Sequence, residues 1–240
     1  MRKLILRTLL VGTLIFAAYS WWYMQQMKAD PIAKKALVSS DSVEVKLESA
    51  SISFVPNGYA NKLLVFYPGA FVDPVAYAPL CHELARHGIE CIIVEMPLRS
   101  ALFDYEAAGR MGISQKLAKE YILAGHSHGA EMAAHFIHEH PGRFHKLILI
   151  GTQYPEKISL TDTAIRVMKV YGTHDGLEPV SEVEKNKTKL PSTTKYLEIS
   201  GANHGQFGYY GDQPFDNAAT ITREEQQKQL VQAMLTFISN

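Results

Sequence analysis

The sequence predicts an α/β fold in which helices cover both faces of a mostly parallel sheet. The first observation is a series of short apolar runs, all but the last of them uninterrupted, which are typical of strands buried on both faces. These runs span residues 63–67, 91–94, 121–124, 147–150 and 165–170. The second observation is that helix-like segments separate several of them. At 240 residues and 47% hydrophobic content, the chain can form one domain with a substantial core.

Two edge strands and one helix are predicted at the start of the sheet. Residues 43–47 and 52–54 alternate apolar and polar side chains, the pattern of strands with one solvated face. Residues 73–87 read as the first helix, with a capping aspartate, a proline in the first turn and Gly88 just past the end.

The last helix is predicted to begin at Thr222. Glu225 follows three residues later, which completes a capping box. Five apolar residues then recur at helical spacing on one face. They are Leu230, Val231, Met234, Leu235 and Ile238.

The N-terminal residues 1–27 form a separate segment that resembles a membrane helix. Residues 8–24 carry no charge and, as a helix, would span about 25 Å. Aromatic residues of the kind found at membrane interfaces close the stretch, namely Tyr19, Trp21, Trp22 and Tyr23. A cleaved signal peptide is the alternative, because Ala18 and Ser20 offer small residues at the spacing of a cleavage site.

Both interpretations place the remainder of the chain outside the cytoplasm. The positive charges before and after the apolar segment differ slightly in number. The terminal amine, Arg2, Lys3 and Arg7 precede it, and Lys28, Lys34 and Lys35 follow it. This difference favours a cytoplasmic N-terminus. We expect a polar tether over residues 28–42 and the catalytic domain over residues 43–240.

Composition argues against several classes of function. The 24 basic and 24 acidic residues balance, so no basic surface for nucleic acid is indicated. The only cysteines, Cys81 and Cys91, lack metal-knuckle spacing; they could pair in an exported domain or remain buried thiols. We expect no metal and no cofactor, and the sequence does not determine the oligomeric state.

Gly125-His126-Ser127-His128-Gly129 matches the G-x-S-x-G motif, in which a serine occupies a sharp strand-to-helix turn. The motif alone is weak, but here a predicted strand precedes it and helical composition follows it. Ser127 is therefore the candidate nucleophile. At such a turn we expect the side chains of His126 and His128 to point away from the serine hydroxyl.

The general base is predicted further along the chain. An acid after a later strand and a histidine after the next strand complete the usual order of the motif. Asp175 follows the run at 165–170, and His204 follows the strand predicted at 196–199. His204 would take the proton of Ser127, and Asp175 would orient the imidazole and stabilise its charged form.

Two backbone amides are the candidate oxyanion donors. One is the N–H of His128, the residue after the nucleophile, and the other lies in the loop after the first central strand. In that loop we favour the N–H of Ala70 over that of Phe71.

The remaining histidines receive a structural interpretation. Glu131, His135 and His138 share one face of the helix after Ser127, a spacing that could bind zinc. We expect instead that this helix packs on the sheet beneath the turn and that the residues near its end face solvent. His128 could line the site with its side chain.

The chain resembles the α/β-hydrolase superfamily, in the small lidless branch related to dienelactone-hydrolase-like proteins. The resemblance covers about residues 43–240. It is carried by the segments at 67–74, 76–80, 96–98, 125–129, 171–176 and 201–211. It implies the α/β-hydrolase fold and a serine hydrolase with Ser127, Asp175 and His204 as the triad. Dienelactone hydrolases proper use a cysteine where Ser127 stands.

The interval of residues 152–164 is too short for a helical cap, so we expect an open site. Without a lid, hydrolysis is favoured over acyl transfer, which must protect the acyl-enzyme from water. The expected activity is therefore hydrolysis of a small carboxylic ester. A thioesterase, a peptidase or a non-catalytic binding protein on the same fold is the alternative. Five aromatic residues could line the site: Phe71, Phe103, Tyr154, Phe207 and Tyr209.

Overall fold

A single eight-stranded sheet organises the domain. The computed structural model describes residues 2–110 and 119–240. The strands are β1 (Val43–Leu47), β2 (Ser51–Pro56), β3 (Lys62–Tyr67), β4 (Ile89–Val94), β5 (Glu120–His126), β6 (Lys146–Ile150), β7 (Arg166–Gly172) and β8 (Lys195–Ile199). Their order across the sheet is β1-β2-β4-β3-β5-β6-β7-β8. The pairs β1–β2 and β2–β4 are antiparallel, and the other pairs are parallel. All the predicted strands are present, but of the two predicted edge strands only β1 lies at an edge. The prediction was wrong for β2, which pairs with both β1 and β4 and is buried over residues 51–54.

Helices cover both faces of the sheet, as the sequence predicts. They are α1 (Arg2–Gln26), α2 (Pro31–Lys35), α3 (Ala78–Arg86), α4 (Ala107–Arg110), α5 (His128–Glu139), α6 (Val180–Lys185) and α7 (Arg223–Ser239). Side chains alternate between the two faces of β3, because successive strand residues point in opposite directions. Leu64 and Phe66 join the hydrophobic cluster that contains α3 and α7. Leu63 and Val65 join the cluster that contains α5.

The helix predicted over residues 73–87 is two helices. A 3-10 helix, Pro74–Tyr77, is capped by the Asp73 side chain, which accepts from the N–H of Val75 at 3.1 Å, and α3 follows it. The single-helix prediction was wrong because Pro79 has no N–H to donate to the carbonyl four residues earlier. The predicted C-terminal glycine is confirmed, since Gly88 has φ +82°.

The start and the packed face of α7 agree with the prediction. Thr222 accepts a hydrogen bond from the N–H of Glu225 at 3.2 Å. Leu230, Met234 and Ile238 are buried, whereas the other two residues of the predicted face are only partly buried.

Helix α1 is long and apolar enough over Ile5–Gln26 to cross a membrane, with a mean hydropathy of 1.4. Its apolar side chains are exposed around the helix, including Leu9, Leu14 and Phe16. A helix that is apolar on all sides and unburied is typical of a membrane segment. A signal sequence has the same length and composition.

Residues 28–42 do not behave as the free polar tether that we expected. Ala29 and Ala33 are buried against the domain, directly after the buried Met27. Asp30 caps α2 by accepting from the N–H of Ala33 at 2.8 Å. The prediction relied on the charged residues of this segment and overlooked its small apolar ones, which fit against the domain. The domain boundaries stay a prediction.

Gly129 allows the first turn of α5 to approach β3. A Cβ at this position would lie 2.3 Å from the carbonyl oxygens of both Tyr67 and Pro68. Backbone atoms cannot yield as a flexible side chain can, so a methyl group here would push the helix away from the strand.

We expect Gly129→Ala to lower the free energy of unfolding by about 3 kcal/mol or more, as forced overpacking does. Gly58→Ala is the matched control, because no atom lies within 4 Å of its added Cβ. Its effect should stay below about 1 kcal/mol. Urea unfolding of the detergent-solubilised protein measures both, and equal losses in the two variants would contradict the close approach of α5 to β3.

Candidate active site

Ser127 occupies the one-residue turn between β5 and α5. Its backbone has φ 54° and ψ −127°, a conformation that is strained for a residue with a side chain. Three backbone hydrogen bonds hold the turn: the Ser127 N–H donates to the carbonyl of Ile150 at 2.9 Å, and the Ser127 carbonyl accepts from Ala130 and Glu131. The Ser127 side chain makes no helix-capping hydrogen bond. Its hydroxyl therefore has no capping role.

The structure brings Asp175 and His204 into direct contact. The imidazole Nδ1 of His204 lies 2.9 Å from Oδ2 of Asp175, and both side chains are buried. The other carboxylate oxygen of Asp175 accepts from the N–H groups of Leu177 at 3.0 Å and Glu178 at 2.8 Å. These bonds fix the carboxylate in one orientation. With the proton on Nδ1 facing Asp175, Nε2 of His204 is left as the basic nitrogen.

The pKa of His204 is raised above its ordinary value. Burial alone lowers it, but the hydrogen bond and charge of Asp175 act in the opposite direction and outweigh burial. The charges of Asp216 and Glu178 add to this effect. His204 is therefore a stronger base than a free imidazole.

Ser127 and His204 lie at the same edge of the sheet, after the parallel strands β5 and β8. The ring of His126, the residue before Ser127, lies 4.6 Å from the ring of His204 between centroids. Within the described ranges, however, no hydrogen bond joins the Ser127 hydroxyl to His204. In many hydrolases without substrate this bond is long and tightens only when substrate binds.

Both candidate oxyanion amides are free of protein acceptors in the described part of the chain. His128 is the first residue of α5, where helix N–H groups have no partner within the helix. The N–H of Phe71 instead donates to the carbonyl of Arg99 at 2.6 Å. This contact supports the choice of Ala70 over Phe71. The close approach of Gly129 to Pro68 shows that the loop carrying Ala70 passes beside the Ser127 turn.

His126 has a structural role that the sequence did not indicate. Its Nδ1 lies 2.8 Å from the hydroxyl of Tyr77, and that hydroxyl accepts from the N–H of Gly69 at 3.1 Å. Burial, with a contribution from the charge of His204, holds the pKa of His126 well below its ordinary value. A neutral His126 thus links the end of β5 to the loop of Ala70. The sequence did carry one signal of this role: His126 ends an apolar strand, where a histidine is expected to be buried and hydrogen-bonded.

Asp216 is a second residue that sequence reasoning missed. Its Oδ1 accepts from the N–H of Gly176 at 2.9 Å, and its Oδ2 accepts from the N–H of Gly205 at 2.8 Å. Gly176 follows Asp175 and Gly205 follows His204, so one carboxylate holds both loops in register. No motif marks this residue, which lies in an irregular segment after the predicted site.

The remaining predictions for side chains had mixed outcomes. Phe71 and Phe103 are exposed, but the other three aromatic residues expected to line the site are buried: Tyr154, Phe207 and Tyr209. That prediction was wrong for these three, because they are used in packing. Cys81 and Cys91 are free, buried thiols.

The histidines of α5 bond to separate partners rather than to one centre. The Nδ1 atom of His128 lies 3.0 Å from Glu131, Nε2 of His135 lies 2.6 Å from the hydroxyl of Tyr154, and Nδ1 of His138 lies 3.1 Å from the carbonyl of Ser159. A different surface group brings acidic and imidazole ligand atoms within 4.8 Å of one another, namely Glu106, Glu139 and His140.

Residues 63–228 match the sequence profile of the alpha/beta hydrolase family. The chain belongs to the α/β-hydrolase family. No curated protein matches it significantly. TT1662 from Thermus thermophilus superposes with a TM-score of 0.61 at 16% identity, over 82% of this chain and 97% of its own. The thermophilic esterase Est2 from Thermogutta terrifontis, with propionate bound, has a TM-score of 0.55 at 15% identity, over 82% and 95%.

The dienelactone-hydrolase-like branch expected from the sequence is present among the structural neighbours. A protein from Klebsiella pneumoniae, provisionally assigned as a dienelactone hydrolase, has a TM-score of 0.58 at 16% identity, over 79% of this chain and 92% of its own. At these identities the likeness concerns the fold. Residues 151–165, where a cap could be inserted, contain no helix, as the sequence predicts.

We expect Asp216→Asn to lower the pKa of His204. The negative charge of Asp216 favours the imidazolium, so its removal shifts protonation to lower pH. The expected cost in unfolding free energy is about 1–3 kcal/mol, because an N–H of Gly176 or Gly205 loses its acceptor.

Imidazole NMR titration measures this pKa, with the His204 signal assigned by its absence in His204→Ala. Asp212→Asn is the matched control, since Asp212 is an exposed aspartate in the same segment. An unchanged His204 pKa in Asp216→Asn would contradict the electrostatic role.

Proposed function

We propose that the protein is a serine hydrolase that cleaves carboxylic esters. The observation that carries the proposal is the buried Asp175–His204 pair at the sheet edge where Ser127 occupies a strained turn. The fold, the family and the esterase among the structural neighbours agree with it. The two amides of His128 and Ala70, which have no protein acceptor within the described residues, supply the expected oxyanion donors.

In the proposed first half-reaction, Nε2 of His204 accepts the proton of the Ser127 hydroxyl as Oγ attacks the ester carbonyl. Asp175 stabilises the imidazolium that forms. The negative oxygen of the tetrahedral intermediate would accept from the N–H groups of His128 and Ala70. One such donor typically contributes about 3 kcal/mol to transition-state stabilisation. His204 then gives its proton to the leaving alcohol, and the acyl group remains on Ser127.

Water completes the proposed cycle. His204 accepts a proton from water as the water oxygen attacks the acyl-enzyme, and returns it to Ser127 Oγ as the acid is released. The lack of a helix in residues 151–165 supports hydrolysis over transfer to another acceptor, because no cap there excludes water.

A fluorophosphonate probe tests the nucleophile. We expect it to label the wild-type protein on Ser127, no labelling of Ser127→Ala, and strongly slowed labelling of His204→Ala. Ester turnover should fall by roughly 10⁴ to 10⁶ in Ser127→Ala, as in other serine hydrolases that lose this oxygen.

Ser192→Ala is the matched control, because Ser192 is an exposed serine in a surface turn. It should label and turn over ester like the wild type. Folded wild-type protein that neither labels nor hydrolyses p-nitrophenyl acetate would overturn the proposed function in favour of a binding protein.

We further propose that α1 is an uncleaved membrane anchor and that the domain lies on the extracytoplasmic side. The apolar length of α1 supports the anchor, and the basic residues before it support the orientation. The packing of the end of α1 on the domain gives the helix a role that a discarded signal peptide would not have.

Mass spectrometry of the protein from membranes tests the anchor. We expect an N-terminal peptide that begins at Met1 or Arg2, and membrane retention after carbonate extraction. Protease added to the outside of membrane vesicles that keep the orientation of the cell should digest the domain. A mature N-terminus near Trp21 would mean that the segment is a cleaved signal peptide.

A further inference from the structure

The end of α1 is hydrogen-bonded to both loops that carry the candidate site. The carbonyl of Met27 accepts from the N–H of Asp73 at 2.8 Å, and that of Gln26 accepts from the N–H of Gly211 at 2.8 Å. Asp73 lies in the loop of Ala70, and Gly211 lies in the loop that follows His204. The N–H of Asp30 also donates to the carbonyl of Tyr209 at 2.9 Å. The helix therefore meets the domain at its catalytic edge.

Close packing fixes this junction. A Cβ on Gly211 would lie 2.6 Å from Oε1 and 2.8 Å from the carbonyl oxygen of Gln26, so only glycine allows the contact. The ring of Tyr23 meets that of Phe71 edge-on at 6.3 Å between centroids, and Met27 is fully buried. The direction of α1 relative to the site is thus determined by side-chain and backbone contacts.

The junction also limits the distance between the site and the bilayer. Trp21 and Trp22 are exposed and mark the interfacial end of the apolar segment. Gln26 lies four positions after Trp22, which is about 6 Å along a helix. The polar region on each side of a bilayer is roughly as thick as that. The loops bonded to Gln26 and Met27 therefore lie at the level of the lipid headgroups.

Four exposed apolar side chains stand on the loops at this edge, and we term them the apolar rim: Phe71, Leu98, Leu102 and Phe103. Their exposed fractions are 43%, 75%, 57% and 58%. Phe71 and Leu98 have positive φ, at 65° and 52°, and the hydrogen bond from Phe71 to the carbonyl of Arg99 joins the two loops. Strained backbone that presents apolar side chains to water indicates a surface with a partner.

We infer that the apolar rim rests on the bilayer that holds α1, and that the substrates are esters with an apolar chain held in that membrane. This inference rests on the proposed function and on the uncleaved anchor. Moving an apolar chain from the membrane into water is unfavourable, and the cost grows with each CH₂ group of the chain. A site at headgroup level lets the carbonyl reach Ser127 while the chain stays in the lipid.

Tryptophan quenching tests the position of the rim without any reliance on catalysis. Trp21 and Trp22 are the only tryptophans of the chain. With both changed to Phe, Phe103→Trp places one reporter on the rim, and Tyr59→Trp places the control on the turn before β3, at the opposite end of the sheet. Tyr59 is 85% exposed.

Each full-length protein is reconstituted in phosphatidylcholine vesicles with bromine on acyl carbons near the headgroup. We expect the fluorescence of Phe103→Trp to fall at least twofold relative to unbrominated vesicles, with no change for Tyr59→Trp. Equal quenching of the two reporters, or none in either, would overturn the inference.

Kinetics test the substrate class. The wild-type protein in phosphatidylcholine vesicles is assayed with p-nitrophenyl acetate, which dissolves in water, and p-nitrophenyl palmitate, which partitions into the bilayer. We expect the double variant Leu98→Asp, Leu102→Asp to lose at least tenfold in kcat/KM on the palmitate and less than threefold on the acetate. Tyr59→Asp should change neither value.

Equal losses on both esters in the double variant would overturn the substrate class, since they would indicate damage to the site itself. A wild-type protein that hydrolyses acetate but not palmitate in vesicles would overturn it too, and leave the serine hydrolase intact. Failure of the proposed function has a different signature, because neither ester is then hydrolysed and no fluorophosphonate label is found.

Discussion

The turn at Ser127 is the constraint on which the candidate site depends. One residue must reverse the chain from β5 into α5, and this forces a positive φ on a serine. The turn is possible because Gly125 and Gly129 let the helix, β5 and the loop after β3 approach to backbone contact. That approach places the first turn of α5 beside the loop that carries Ala70. The position of both proposed oxyanion donors, the N–H groups of His128 and Ala70, therefore depends on the strained turn at Ser127.

The second organising feature is a set of buried or partly buried carboxylates that accept hydrogen bonds from backbone amides. Asp175 accepts from two amides besides His204, and Asp216 accepts from the amides of Gly176 and Gly205. Glu178 accepts from the N–H of Gln153 at 2.7 Å, although burial raises the pKa of its carboxyl. Buried charge is tolerated when its hydrogen bonds are satisfied. The same bonds hold the loops that carry Asp175 and His204.

The nearby Lys169 is a buried group whose pKa is dominated by burial, because it has fewer hydrogen-bond partners than these carboxylates. It lies in β7 and donates to the carbonyl of Tyr154 at 2.5 Å. Burial lowers its pKa to about 7, and the charge of Glu178 only partly opposes this. An amine in this position is therefore partly neutral near neutral pH.

The regular parts of the fold were predictable because their signals are local. Apolar runs mark the strands, the capping box marks α7, and the order of Ser127, Asp175 and His204 follows the strands that carry them. The bond between Asp175 and His204 agrees with that order. Asp216 and His126 were not predictable, since their roles depend on which loops meet in three dimensions. For the same reason the packing of Met27 and Ala33 was missed. The sequence around them is rich in charge, and it does not show which surface of the domain buries these two side chains.

The junction between α1 and the domain has a consequence for any soluble form of the protein. A shortened chain that started at residue 43 would leave the amides of Asp73 and Gly211 without their acceptors and uncover the surface that Met27 and Ala33 now fill. Both amides belong to the edge of the sheet where the proposed chemistry occurs. Removal of residues 1–42 would therefore disturb the same loops whose geometry a shortened protein would be made to measure.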